Sequence, residues 1–465
     1  MRIIVDSTII FSLLFSCAQM LHAQSGIYNP RDYGAKADGK THDTAAIQSA
    51  IDEAAGKGGG VVRFDSGTFL SGTIYLRDNV AFEILPSAKL KATTDKDKYN
   101  ADDFCPQNAV FGKEKVSGAH FIVALEVKNA SIYGGGEIDG SGLDFWMQNP
   151  ENANAGMWQK FKYPKWRPAQ MLFFCECKNV SLRDIRLSNA PYWTCLFIGC
   201  SDVFVSRVLI NNDPRGHNND GIDIDACRRV VVSDCIITAE DDAITLRSNP
   251  QRIKDKNSAC EDVAITNCIL QSTCNGIRIG VGTGLIRRCQ INNIVIKNTL
   301  QGLSFVGSYL GENGVSIEDI SLSNIRISAS RAFSIISDSA WGKETGKASI
   351  KDITFDNCVF AAERTNLIAG NLDRKISGIT FRNCDFVMRG GKMINEQQIP
   401  ISKFEDWKRV KCTPDALLIV HAQDIFFDGC RMLTRGDNGK WKSAVSAVDT
   451  VNCEISANCK FPSAK

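Results

Sequence analysis

Asn218–Leu246 reads NNDGIDIDACRRVVVSDCIITAEDDAITL. Its central octet, VVVSDCII from Val230, alternates apolar and variable residues, breaks at two polar positions, then alternates again. Alternation with period two describes a strand with one buried face. The Ser233-Asp234 break reads as a bend, because Asp closes turns through its own side chain. The same octet begins at Val180, Val203, Val230, Val263, Cys289, Ile320, Ile353, Ile379, Ile425 and Val448, ten copies spaced 23 to 33 residues apart with one gap of 46. Two short strands around a bend, returning once per few tens of residues, cannot bury their apolar faces alone and must stack on their neighbours. A β-sandwich would place turns every ~8 to 12 residues and would not hold one register. The spacing therefore predicts an all-β, single-domain, right-handed parallel β-helix over residues 24–465.

A solenoid has to cover its open ends. HDTAAIQSAIDEAAGKGGG from His42 predicts a short amphipathic helix that plugs the first coil. Asp43 is its expected cap, Ile47, Ala50, Ile51 and Ala54 are its apolar face, and Gly56 with Gly58, Gly59 and Gly60 is its stop. The stretch from Arg389 to Pro414 breaks the rhythm and reads as an inserted loop.

The composition excludes several classes. With 54 basic against 52 acidic side chains, neither a nucleic acid nor another polyelectrolyte partner is suggested. Arg2, the apolar stretch from Thr8 to Leu21, and Ala23 before Gln24 predict a secretory leader over 1–23 and a periplasmic or secreted protein. Lipidation at Cys17 is the weaker alternative. No later run reaches the ~18 to 20 apolar residues of a membrane span. Removal of the leader leaves 17 of the 18 cysteines, an odd number. Cys235, Cys268, Cys289, Cys358, Cys384, Cys430 and Cys453 occupy apolar slots of the octets, and without a C-x-x-C pair they read as small fillers of an inward column, not as bridges or metal ligands.

A second motif can be laid over itself coil by coil: Asp220-Gly-Ile-Asp-Ile, Asp242-Ala-Ile-Thr-Leu, Asn275-Gly-Ile-Arg-Ile, Gln301-Gly-Leu-Ser-Phe and Arg331-Ala-Phe-Ser-Ile. Stacking at the usual ~4.8 Å strand spacing puts Asp220 and Asp242 on neighbouring rungs of one exposed column, with Asp241 beside them at the bend. Like charges this close resist joint ionisation, so one acid keeps its proton while another stays a base. That is the division an inverting glycosidase needs. Three acids on one surface also suit calcium. Asp213 and Asp234 read as turn formers.

These residues resemble glycoside hydrolase family 28, the polygalacturonases, whose right-handed β-helices cleave α-linkages in pectin with inversion. The resemblance spans nearly the whole mature chain, from DYGAKADGKTHDTAAIQSAIDEAAGKGGGVVRF and GTFLSGTIYLRDNV through RPAQMLFF and NAPYWT. It implies that Arg167, Tyr192 and Trp193 lie near the cleft. NNDG from Asn218 is similar to the family's Asn-Thr-Asp-Gly, which implies that Asp220 helps activate water. EDDA from Glu240 resembles its Gly-Asp-Asp motif, which implies Asp241 as general acid and Asp242 as partner base. Two departures stand out. The family's Gly-His-Gly appears as Cys274-Asn275-Gly276, and its Arg-Ile-Lys, the clamp on a galacturonate carboxylate beyond the cleavage point, appears as Ser304-Phe305-Val306.

Asn275 thus takes the histidine's place, and His217 is a second candidate for its role. Arg278 stands in the lost arginine's column one coil early and is a candidate carboxylate contact, as is Arg247. Trp146, Trp158, Tyr163 and Trp166, interleaved with lysines, suit stacking on sugar rings. The expectation is a monomeric hydrolase of α-galacturonosyl linkages in pectic polysaccharide or oligosaccharide, without cofactor or metal, resembling the rhamnogalacturonan-active or exo-acting members more than a plain polygalacturonase. The rivals are a pectic lyase, which would need calcium and a basic proton acceptor, and a non-catalytic carbohydrate-binding β-helix.

Overall fold

A computed structural model describes residues 26–156, 159–308, 314–339, 348–371, 374–389, 415–435, 441 and 443–461. The expected leader, Cys17, Trp158 and nearly all of the expected inserted loop, 390–414, lie outside them.

All the named strand pairings are parallel, and each joins one coil to the next. They form three faces. The first half of each octet lies on the first face, where Val180, Val203, Val230, Val263, Cys289, Ile320, Ile353, Ile379 and Ile425 pair in succession. The second half lies on the second face. Between them the fifth residue of each of these nine octets is left-handed: Asp184, Arg207, Asp234, Asn267, Asn293, Asn324, Asn357, Asn383 and Gly429 have φ between 50 and 62°. Asn, Asp and Gly tolerate that region best, so the polar break in the sequence is a backbone requirement. Arg207 is the exception, and Asp184 on the preceding coil holds its guanidinium at 2.6 and 2.8 Å.

The tenth copy departs from its expected register. Ile425 pairs with Cys453, while Val448 pairs with Val420 on the third face. Cys453 therefore leaves the inward cysteine column, and Cys459, whose Sγ accepts from the Cys430 amide at 3.4 Å, replaces it. All described cysteines are free thiols. Cys235, Cys268, Cys289, Cys358, Cys384 and Cys430 are buried in the main core. A further file, Cys177, Cys200 and Cys227, stacks through amide-to-sulfur contacts of 3.4 and 3.2 Å.

One apolar cluster runs the length of the helix interior, from Tyr28 to Ala444. Near its C-terminal end Phe355, Phe381 and Phe427 stack with centroids 4.9 and 5.0 Å apart and planes within 6°. The helix α1 (Thr44–Gly56) buries Ile47, Ala50, Ile51 and Ala54 against the first coils. Asp43 does not cap it as expected. Its carboxylate instead accepts the Lys36 and Ala37 amides at 2.7 and 3.0 Å, tying the entry loop to the plug. Among the described residues no helix is long and apolar enough to cross a membrane.

The third face carries the acids. Four of its strands matter below: β1 (Cys195–Ile198), β2 (Ile222–Asp225), β3 (Ile244–Ser248) and β4 (Asn275–Gly282), each paired in parallel with the next.

Candidate active site

Ile222 pairs with Ile244 and Ile244 with Ile277, so Asp220, Asp242 and Asn275, each two residues earlier, share a column. The backbone continues the ladder there: the Gly221 amide donates to the Asp242 carbonyl at 2.8 Å. Gly221 and Gly276 sit where a Cβ would lie 2.3 and 2.5 Å from the next coil, which explains the small residue after the column. Trp193 occupies the same slot one rung before Asp220, with the Met171 amide donating to its carbonyl.

The column is not exposed as expected. Asp220 and Asp242 are 1% and 0% accessible, whereas Asp241 keeps 22% of its side chain in solvent. Neighbouring rungs supply the cover. Asp242 accepts Asn275 Nδ2 at 2.7 Å and Thr245 Oγ1 at 3.2 Å, and lies 3.1 Å from Arg278 Nε. Arg278 reaches Asp241 at 3.8 Å. Arg247 lies over the Trp193 ring at 4.2 Å and pairs with Asp223 at 2.8 Å and Asp220 at 3.4 Å. Thus both arginines expected to meet substrate already face carboxylates of the cluster. Arg278 does stand in the column of Ser304, the lost arginine's position.

Asp223 and Glu240 were legible in the motifs but not singled out. Asp223 is fully buried, and its Oδ2, like Asp220 Oδ1 and Asp241 Oδ1, has no hydrogen-bond partner among the described residues. Glu240 accepts the Asn218 amide at 2.8 Å and pairs with Lys160, which arrives from a distant loop. Asn218, left-handed with φ 58°, reaches Asp241 at 3.3 Å.

Burial and mutual repulsion set the protonation. Burial pushes Asp220 well above the usual carboxylate range, with Asp241, Asp223 and Asp242 adding to it. Burial raises Asp223 to about 7 against the pull of Arg247, and Asp242 to about 6 against Arg278. Glu240 rises to about 7 through burial and the Asp241 charge, opposed by Lys160. The cluster therefore holds protons at neutral pH, as packed like charges must.

His217 does not face the acids directly. Its Nε2 meets the Phe161 carbonyl at 2.7 Å and its ring stacks on Tyr163 at 4.7 Å, and burial lowers its pKa. Trp146 is buried against Phe161 and Arg167 and offers no free face to a sugar, whereas the half-buried Trp166 packs on Tyr99 and Phe145. Arg167 is fully buried and structural: it donates to the Pro191, His217 and Glu114 carbonyls at 2.6 to 2.8 Å. Asp213 and Asp234 serve turns, Asp213 through Arg215 and Asp234 with φ 58°.

Among the described residues one group could approach a metal: oxygens of Asp241 and Asp242 and the Cys274 sulfur lie within 4.8 Å of one another. Burial raises the Cys274 thiol well above its ordinary pKa, keeping it neutral. A neutral thiol is a poor ligand and sulfur does not suit calcium, which takes oxygen donors.

The sequence over residues 89–404 matches glycosyl hydrolases family 28, and residues 27–98 match the rhamnogalacturonase A/epimerase, pectate lyase-like family. The chain belongs to glycosyl hydrolase family 28. Among family relatives, the endo-polygalacturonase of Pectobacterium parmentieri is 24% identical over 365 residues, 75% of this chain and 85% of that protein. Polygalacturonase QRT2 of Arabidopsis thaliana is 23% identical over 46% of this chain. The chain spans about half the length of the plant relatives it matches, 55% of QRT2 and 49% of the probable polygalacturonase At3g15720. The fold is shared with the family 28 exopolygalacturonase of Yersinia enterocolitica (TM-score 0.66, 17% identity, 94% of this chain and 79% of that one) and with the exopolygalacturonase of Thermotoga maritima (0.63, 21%, 79% and 88%).

Proposed function

We propose that the protein hydrolyses α-galacturonosyl linkages in pectin with inversion, acting outside the cytoplasm. The observation that carries this is the stacking of Asp220 on Asp242 with Asp241 beside them, three carboxylates given different environments by adjacent rungs. Asp241, the acid with solvent access, delivers a proton to the leaving glycosidic oxygen. Asp242, stabilised as an anion by Asn275, Thr245 and Arg278, draws a proton from water, and Asp220, kept protonated by burial, helps to orient that water. The water oxygen bonds to the anomeric carbon as the old C–O bond breaks on the opposite face.

The preferred substrate is a rhamnose-containing or branched region. Ser304 and Val306 offer no charge where the family clamps a second uronate, and Arg247 and Arg278 are balanced by four aspartates. Product NMR on rhamnogalacturonan fragments and on polygalacturonate tests both points. Inverted anomers, with the former cleaved in preference, are expected; retained configuration or unsaturated products would refute the reading. Asp241→Asn and Asp220→Asn should each lose ~10²- to 10⁴-fold in kcat with the fold unchanged.

A further inference from the structure

The third face does not continue as an open groove on the N-terminal side of the acids. Leu196 on β1 lies in the column of Asp223, with Phe173 one rung earlier, and Ile198 lies in the column of Asp225. These outward positions are buried, at most 1% accessible, and Trp193 in the Asp220 column is 6% accessible. The segment 101–120 covers them. His120 stacks on Phe173 at 4.3 Å, Phe104 meets the same ring edge-on, and Phe111 packs on Trp193 at 5.5 Å.

The cover is tied to the coils it lies on. Glu114 takes the Tyr192 hydroxyl through its carboxylate and Arg167 through its carbonyl, the Ser117 amide donates to the Arg167 carbonyl at 3.2 Å, and Arg252 sits over Phe111 at 5.7 Å. Trp193 is thereby held between Phe111 and the Arg247 guanidinium. Solvent reaches the cluster on the other side, at Asp241 and Arg278.

We propose that this wall makes the protein a chain-end hydrolase: a sugar chain enters from the β3 and β4 side, its terminal residue stops against Trp193, and one fixed unit is released per cleavage. An enzyme that cuts internal bonds needs room for sugars on both sides of the acids, and four outward positions, Phe173, Trp193, Leu196 and Ile198, filled by packed side chains leave none on this one. The inference rests on the reading of the cluster as a pectin-hydrolase site.

The test uses the whole protein with pectic oligosaccharides of defined length carrying a fluorescent label at the reducing end, alongside viscometry on the polymer. Stepwise shortening with one unlabelled product size, or immediate release of the label with one small labelled product, supports chain-end action at one terminus or the other; polymer viscosity stays high as reducing ends accumulate. A mixed ladder of internal fragments from the start, with an early fall in viscosity, overturns the proposal while leaving the hydrolase reading intact. Release of nothing from any pectic substrate overturns both. Phe111→Ala combined with Glu114→Ala, checked for native circular dichroism, should convert the single product into a mixture; an unchanged product pattern would remove the wall as its cause.

Discussion

Replacement of Arg247 by Met removes one cation from a buried network, and with it the guanidinium 4.2 Å above the Trp193 ring, while keeping an unbranched apolar side chain in its place. Asp223, fully buried and 2.8 Å from the guanidinium, then loses its main counter-charge, and Asp220 its contact at 3.4 Å. The size of the effect depends on pH. The folded-state pKa of Asp223 is about 7, raised above its ordinary 3.8. A group raised in this way favours the folded state below 3.8, and that contribution is lost as pH climbs through the folded value. At pH 5 Asp223 is already protonated in the native protein, so the variant loses roughly one ordinary hydrogen bond, ~1 kcal/mol. At pH 8 it must bury a bare carboxylate or bind a proton, and the loss rises to ~3 to 5 kcal/mol. With about 2 cal/mol/K of unfolding entropy per residue, a chain this long changes its melting temperature by ~1 °C per kcal/mol. Thermal melts should therefore separate wild type from Arg247→Met by ~1 °C at pH 5 and ~3 to 5 °C at pH 8. Adding Asp223→Asn should recover most of the pH 8 deficit. Equal losses at both pH values, untouched by the second change, would show that Asp223 does not depend on Arg247 for its charge.

Other consequences follow from the coil architecture. Phe381→Ala opens the stack between Phe355 and Phe427 and should cost ~3 to 5 kcal/mol in a denaturant or thermal melt. Asn267→Ala places a Cβ-bearing, non-amide residue at φ 56° and should cost ~1 to 2 kcal/mol, with Asn267→Gly recovering part of it in the same measurement. In thiol labelling of the native protein, the partly accessible Cys274, Cys453 and Cys459 should react before the buried cysteines, which should label only on unfolding; uniform fast reaction would contradict the packed columns.

Much of the architecture was local enough to read. The apolar spacing of the octets and the Asn or Asp at their fifth position reflect requirements each coil must meet by itself: a pleated face turned inward and a backbone able to turn left-handed. The column of Asp220, Asp242 and Asn275 followed from that register, because parallel stacking preserves alignment from coil to coil. In the tenth octet a longer strand overrides the local pattern. Val448–Ile455 has the right pattern, but the strand before it extends from Ser443 and shifts the pairing, so Cys453 meets Ile425 and Cys459 takes the inward place.

The environment of the acids was not legible in the same way. Whether Asp220 sees water depends on Trp193, Arg247 and the segment 101–120, which packs onto Trp193 from about 80 residues earlier in the chain. Glu240 depends likewise on Lys160, 80 residues away. Spacing along a chain specifies which residues share a rung. Only the tertiary structure decided which of those carboxylates are stripped of solvent, which guanidinium each one faces, and on which side the groove is filled, because burial and charge pairing are made by side chains that no local period brings together.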